Sequence, residues 1–131
     1  MFVYICCAGG MTSSLLCENI KKSASSDLRV YLDNITNVAV DFSSNKLKEF
    51  DIILGYGSAS AITESFLKDY NLDNIIDLIL ISPQVRFEFN RIEKVVSPYN
   101  ISVELIDMKT FGTMNGKKII NQILKYKQID H

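Results

Sequence analysis

Apolar positions along this chain follow two alternating rhythms. Short unbroken apolar runs, such as Phe2-Val3-Tyr4-Ile5-Cys6, are followed by stretches in which apolar residues recur every three or four positions. The first rhythm marks buried strands and the second marks helices with one inward face. Residues 2–6 read as a strand that Gly9-Gly10 breaks, and the hydroxyls of Thr12-Ser13-Ser14 are of the kind that caps a helix start. Leu16, Ile20 and Ala24 then predict a helix to about Ser25. Two stretches, 28–32 and 38–42, compete for the next strand, and 44–50 suits a short helix. Residues 51–55 read as a further strand. Gly57 and Ser58 open a predicted helix bearing Ile62, Phe66 and Tyr70. A strand over 77–81 stops at Ser82-Pro83, and Val85, Phe89, Ile92 and Val96 follow at helical spacing. The last strand is expected over 101–106. Asn115-Gly116 precedes a closing helix with Ile119, Ile120, Ile123 and Leu124. Strands alternating with helices predict a three-layer α/β fold. Its sheet is expected to be mostly parallel, with four or five strands and helices on both faces.

Composition narrows this picture. At 131 residues, 47% hydrophobic and 22% charged, the chain suits a single domain over 1–131 that buries a core without disulfides or metal. A formal net charge of -1 argues against nucleic acid as a partner. No apolar run approaches the roughly 20 residues that a membrane span needs, and none leading the chain has a basic region before it. A cytoplasmic protein without membrane insertion is expected. Three cysteines crowded at positions 6, 7 and 17 make a poor disulfide framework and read as reduced thiols. The one histidine is the terminal His131, which argues against a multi-histidine metal site and a buried phosphohistidine. No metal or cofactor is expected.

The chemistry-bearing segment is Cys7-Ala8-Gly9-Gly10-Met11-Thr12-Ser13-Ser14, between the first strand and the first helix. Ligands of open parallel sheets bind beyond the carboxyl ends of the strands. Unpaired N–H groups at a helix start attract anions, and glycines let the backbone curl closely round a phosphate. A thiol held there has a lowered pKa and is a better nucleophile. Residues 1–17 carry no charged residue except Met1's amino group, so neutralisation falls to N–H groups, hydroxyls and the helix dipole. The same letters also suit a packed cysteine followed by a tight turn. The segment lacks the Gly-Lys-Ser/Thr of a Walker loop and the spaced third glycine of a dinucleotide fingerprint.

This segment resembles the cysteine loop of enzyme IIB components of the sugar phosphotransferase system, lactose/cellobiose (chitobiose) class, which reads C-x-A/G-G-M-S-T-S or C-A-G-G-G-T-S. Two further markers of that class follow in order. A strand ending in G/A-P-Q-I/V corresponds to Leu80-Ile81-Ser82-Pro83-Gln84-Val85. A V-E-V-I-D-like strand with a Y/F-G-x-x-x-G segment corresponds to Val103 through Asp107 and Phe111 through Gly116. The resemblance covers residues 1 to about 25 and about 77 to 127. Gly55-Tyr56-Gly57 is similar to a G-G-Y-G stretch of lactose-type members, which leaves about 27–50 as an insertion relative to the family.

The resemblance implies a phosphotransferase (protein-phosphocysteine–sugar phosphotransferase). Cys7 would take a phosphoryl group from a histidine of a IIA protein and pass it to a sugar presented by the membrane IIC permease. Ala8, Gly9, Gly10, Met11, Thr12, Ser13 and Ser14 would form the phosphate loop, with Pro83 and Gln84 on a partner surface. Cys6 belongs to the strand and Cys17 to the helix, so both are read as core. Phe87 and Phe89 are read as core, and Lys117-Lys118 as a solvated helix start. Two rivals stand beside this reading. A low-molecular-weight phosphatase needs C-x5-R, but Ser13 occupies the arginine position. A regulatory domain that binds phosphate or a partner without transfer has the same letters.

Overall fold

A computed structural model describes residues 1–128, so His131 lies outside the described residues. Its centre is the strand β1 (Phe2–Cys7), buried along its whole length. Burying each large apolar side chain there contributes roughly 1.5–3 kcal/mol. The chain continues through helix α1 (Met11–Ser23), strand β2 (Val30–Asn34), helix α2 (Ile35–Ser43) and strand β3 (Ile52–Ser58). Helix α3 (Glu64–Asp69), strand β4 (Leu78–Ile81) and helix α4 (Phe89–Val96) follow. Strand β5 (Ser102–Leu105) and helices α5 (Met108–Gly112) and α6 (Gly116–Gln128) close it. The five strands form one sheet in the order β2-β3-β1-β4-β5, and every pairing is parallel.

Strand alternation divides the core in two. Phe2, Tyr4 and Cys6 face a layer that includes Val38 of α2, Leu67 of α3 and Ile92 of α4. Val3 and Ile5 face the opposite layer, with Leu16 and Ile20 of α1 and Ile119 and Ile123 of α6. The result is the expected three-layer α/β arrangement, with five strands. The connection leaving β1 runs by α1 towards the β2 edge. The connection leaving β4 runs by α4 on the other face towards the β5 edge. The direction of the connections therefore reverses between β1 and β4, the place where such sheets take their ligands.

Several local expectations give way to tertiary context. The second strand forms at Val30–Asn34, while residues 38–42 lie in α2. Asn34 ends the strand and starts that helix, its side chain accepting from the Asn37 N–H at 2.9 Å. Residues 44–49 are turns rather than a helix, and Asn45 sits at φ 60°. Gly57 and Ser58 extend β3 instead of opening a helix, because Cys6 and Cys7 pair with them across the sheet. Helix α3 starts later, at Glu64, where the Thr63 hydroxyl accepts from the Phe66 N–H. Helix α5 was not expected; Asp107 caps it by accepting from the Thr110 N–H at 3.0 Å. Phe87 is 77% exposed, not in the core, because the turn of 3-10 helix over Pro83–Glu88 rotates it outward.

Candidate functional site

Cys7 is the last residue of β1, and its thiol lies on the α1 face. The chain then turns through the exposed Ala8 and Gly9. Gly10 adopts φ 87°, a left-handed conformation that favours glycine, and this aims the first turn of α1 back over the strand end. The Gly10 N–H donates to Cys7 Sγ at 3.1 Å. The Cys7 thiol donates to Ser13 Oγ at 3.4 Å, and the Ser13 hydroxyl donates to the Gly10 carbonyl at 2.9 Å. Ser13 also lies 3.4 Å from the Gly57 carbonyl, which ties the loop to β3. The turn thus encloses the sulfur, and Cys7 is only 1% exposed.

These contacts set the thiol's acidity. Burial pushes the Cys7 pKa up, but the hydrogen bond shared with the Ser13 hydroxyl and those from the N–H groups of Ser13, Gly10 and Gly9 more than offset it. The net shift is downward, towards the thiolate. Cys6 faces the opposite core, and burial pushes its thiol up to about 12. Burial also raises Cys17, which is fully enclosed on the inner side of α1. Cys7 alone among the three has a lowered pKa.

The loop hydroxyls behave differently from the capping expected of them. The residue before α1 is Gly10, which offers no side-chain cap. Ser13 and Ser14 donate to the carbonyls of Gly10 and Met11 instead. The first-turn N–H groups are therefore not consumed by side-chain caps. Met11 is 79% exposed at the mouth of the turn.

The β1–β4 register brings the second predicted segment alongside. Cys6 pairs with Ile81, and the Ser82 N–H donates to the Cys6 carbonyl at 3.0 Å. Ser82 therefore stands beside Cys7. Pro83, half-buried, and Gln84, exposed, begin the following turn at the same end of the sheet. Further along that end, Pro83, Arg86, Leu105, Ile106, Asp107 and Met108 line a cavity of about 280 Å³. The Asp107 carboxyl is held below its usual range by the N–H and hydroxyl of Thr110. Among the exposed apolar side chains, Met11 and Leu15 lie on α1, Phe87 on the turn after β4, Leu105 on β5 and Met108 on α5.

Two contributors escape a linear reading. Gly57 supplies a carbonyl to Ser13 only because β3 pairs with β1. Ser82 is fully buried, and among the described residues its hydroxyl is the buried side-chain polar atom without a hydrogen-bond partner. Such an unmet group costs about 1–3 kcal/mol. A serine before a proline carries no signal of this kind until strand pairing places it beside Cys7.

Fold and loop together define a class by geometry: an all-parallel α/β domain with a hydrogen-bonded cysteine at the end of its first strand, under the turn that leads to its first helix. Among known proteins, the oligo-beta-mannoside-specific EIIB component of the PTS system of Bacillus subtilis (strain 168) is 44% identical over 48 residues, 37% of this chain and 47% of that protein. The match thus spans about half the length of that curated relative. The solution structure of the cellobiose-specific phosphotransferase IIB component from Borrelia burgdorferi aligns over 96% of this chain and 90% of that one. Its TM-score is 0.54 at 22% identity, a likeness of fold. No family model matches the chain. Both relatives fit the lactose/cellobiose IIB class that the loop and strand markers resemble.

Proposed function

We propose that this chain is a phosphoryl carrier of a sugar phosphotransferase system, a IIB component that holds the group on Cys7. The observation that carries the reading is the set of donors converging on Cys7 Sγ, with Gly10 N–H at 3.1 Å and Ser13 beside it, in a turn without a charged side chain. The thiolate sulfur attacks the phosphorus of a phosphohistidine on a IIA protein. The S–P bond forms, the P–N bond breaks, and the departing imidazole nitrogen takes up a proton. In the second step a sugar hydroxyl held by the membrane IIC component attacks the same phosphorus. The O–P bond forms, the S–P bond breaks, the hydroxyl proton leaves to solvent or a base, and the thiolate returns.

The N–H groups that stabilise a thiolate equally stabilise the phosphoryl oxygens, in the manner of anion sites at helix starts. The loop of Ala8, Gly9, Gly10, Met11, Thr12, Ser13 and Ser14 serves this purpose. Transfer requires the enclosed sulfur to leave Ser13 and face the partner, a movement that the exposed Ala8-Gly9 turn can absorb. Pro83, Gln84 and the surrounding apolar side chains would meet IIA and IIC in turn. Among the described residues no helix is long and apolar enough to cross a membrane. The reading places the domain in the cytoplasm, against its membrane partner.

The test is labelled phosphoenolpyruvate with the general carriers and the cognate IIA. Label on Cys7, discharged by IIC membranes and sugar, is the expected result. An unlabelled chain overturns the carrier and favours a domain that binds phosphate or a partner without transfer.

A further inference from the structure

We infer that the Ser82 hydroxyl is a phosphoryl-binding group, which donates a hydrogen bond to the phosphoryl group on Cys7 from the strand next to it. The inference deepens the carrier reading and rests on it.

Three observations converge on Ser82. The first is register. Cys6 pairs with Ile81, and the Ser82 N–H donates to the Cys6 carbonyl at 3.0 Å, so the next pair along is Cys7 and Ser82. Paired strands lie about 4.8 Å apart. The second is direction. Leu80 faces the α1 and α6 layer and Ile81 faces the other. Ser82 keeps an extended backbone, φ -67° and ψ 151°, so alternation returns its side chain to the α1 face. Cys7 faces α1 as well, since it contacts Ser13 of that helix. The third is satisfaction. Ser82 is fully buried, and its hydroxyl has no partner among the described residues.

The Ser13 hydroxyl and the Gly10 N–H beside Cys7 are already engaged. Ser13 donates to the Gly10 carbonyl, and the Gly10 N–H donates to the sulfur. Phosphorylation of Cys7 adds three strong acceptor oxygens at this spot. Gly9, Gly10 and Ser13 approach them from the loop side. Ser82 approaches from β4, a direction that no loop group serves. A serine hydroxyl supplies one donor and rotates to suit. The same atom that is unmet in the free thiol state is thus met in the phosphorylated state, so Ser82 favours the loaded carrier over the empty one.

The experiment compares wild type with Ser82→Ala, Ser82→Gly and Ser82→Thr, each charged from the phosphorylated IIA protein. The equilibrium between phosphorylated IIA and phosphorylated Cys7 is measured, with the 31P resonance of the phosphocysteine and the unfolding midpoint of both forms. Loss of a charge-assisted hydrogen bond shifts that equilibrium about tenfold or more towards IIA in Ser82→Ala and Ser82→Gly. The 31P resonance moves in both, and Ser82→Thr, which keeps the hydroxyl, stays near wild type. The uncharged Ser82→Ala protein unfolds at or above the wild-type midpoint, because an unmet polar group has gone, while its charged form unfolds below. A general packing role would lower both. Wild type that charges normally, beside Ser82→Ala and Ser82→Gly with unchanged equilibrium and resonance, overturns the inference alone. Wild type that never charges on Cys7 overturns the carrier reading and this inference with it.

Discussion

At the scale of single residues, the chain separates three thiols that share one chemistry. Cys6 and Cys7 are neighbours in sequence, yet the pleat sends them to opposite faces. Cys6 meets a dry core and Cys7 meets donors. In the proposed relay, Cys7→Ser abolishes labelling from IIA, while Cys6→Ala and Cys17→Ala retain most of it; peptide mass mapping locates the phosphate. A serine at neutral pH is a far weaker nucleophile without an adjacent base. Ser13 provides a second test. Its hydroxyl and N–H lower the Cys7 pKa, so alkylation of Cys7 by iodoacetamide has its half-maximal rate below the pH of an ordinary thiol. Ser13→Ala keeps the N–H and loses the hydroxyl, and the midpoint moves upward. An unmoved midpoint would show that backbone donors alone hold the thiolate. The cysteine loop was legible at this scale because its letters encode a backbone shape: a strand end, a left-handed glycine and a helix start. Ser82 was not, since its importance depends on a strand far away in sequence.

Elements show where local preference meets packing. Helix α2 begins where the Asn34 side chain accepts from the Asn37 N–H. Asn34→Ala is expected to cost about 1 kcal/mol in chemical denaturation and to leave Cys7 alkylation unchanged, since the cap lies at the β2 edge. A change in Cys7 reactivity would reveal coupling between that edge and the loop. Strand β3 is more tightly bound to the site. A Cβ at Gly57 would stand 2.8 Å from Tyr4 Oη and 3.2 Å from Ile35 Cγ2. The Tyr4 hydroxyl donates to the Ser58 carbonyl at 2.9 Å, and Gly57→Ala forces it to move. The expected loss is about 1–3 kcal/mol, with a perturbed Cys7 midpoint because Ser13 leans on the Gly57 carbonyl. In sequence, the glycine of Tyr56-Gly57-Ser58 reads as the start of a helix. In the sheet it is the space that Tyr4 needs, and the strand runs through it.

The whole molecule responds to alkaline pH through its buried thiols. Burial raises Cys6 to about 12 and raises Cys17 as well, while an unfolded cysteine ionises near about 8.5. Below that value the folded state keeps the full benefit. Above it the unfolded chain ionises and the folded chain does not, so stability falls as pH rises towards the folded values. Urea midpoints measured at pH 7.5 and pH 10 should differ downward, by roughly 2 kcal/mol from Cys6 alone. The buried Tyr4 phenol, also raised by burial, adds to the loss at higher pH. Equal midpoints would mean that these thiols are less enclosed than their position implies.

At this scale the boundary between local and global information is clear. The alternation of apolar runs and helical spacing was enough to specify a layered, largely parallel α/β sheet, because buried strands and one-sided helices carry distinct periods in their own residues. The Cys7 loop was readable for a similar reason, since glycines and hydroxyls act on the backbone within a few positions. The order β2-β3-β1-β4-β5, the choice of 30–34 over 38–42 as a strand, and the meeting of Cys7, Gly57 and Ser82 were not readable in that way. Each depends on hydrogen bonds and burial between segments tens of residues apart, and those energies exist only once the sheet has assembled.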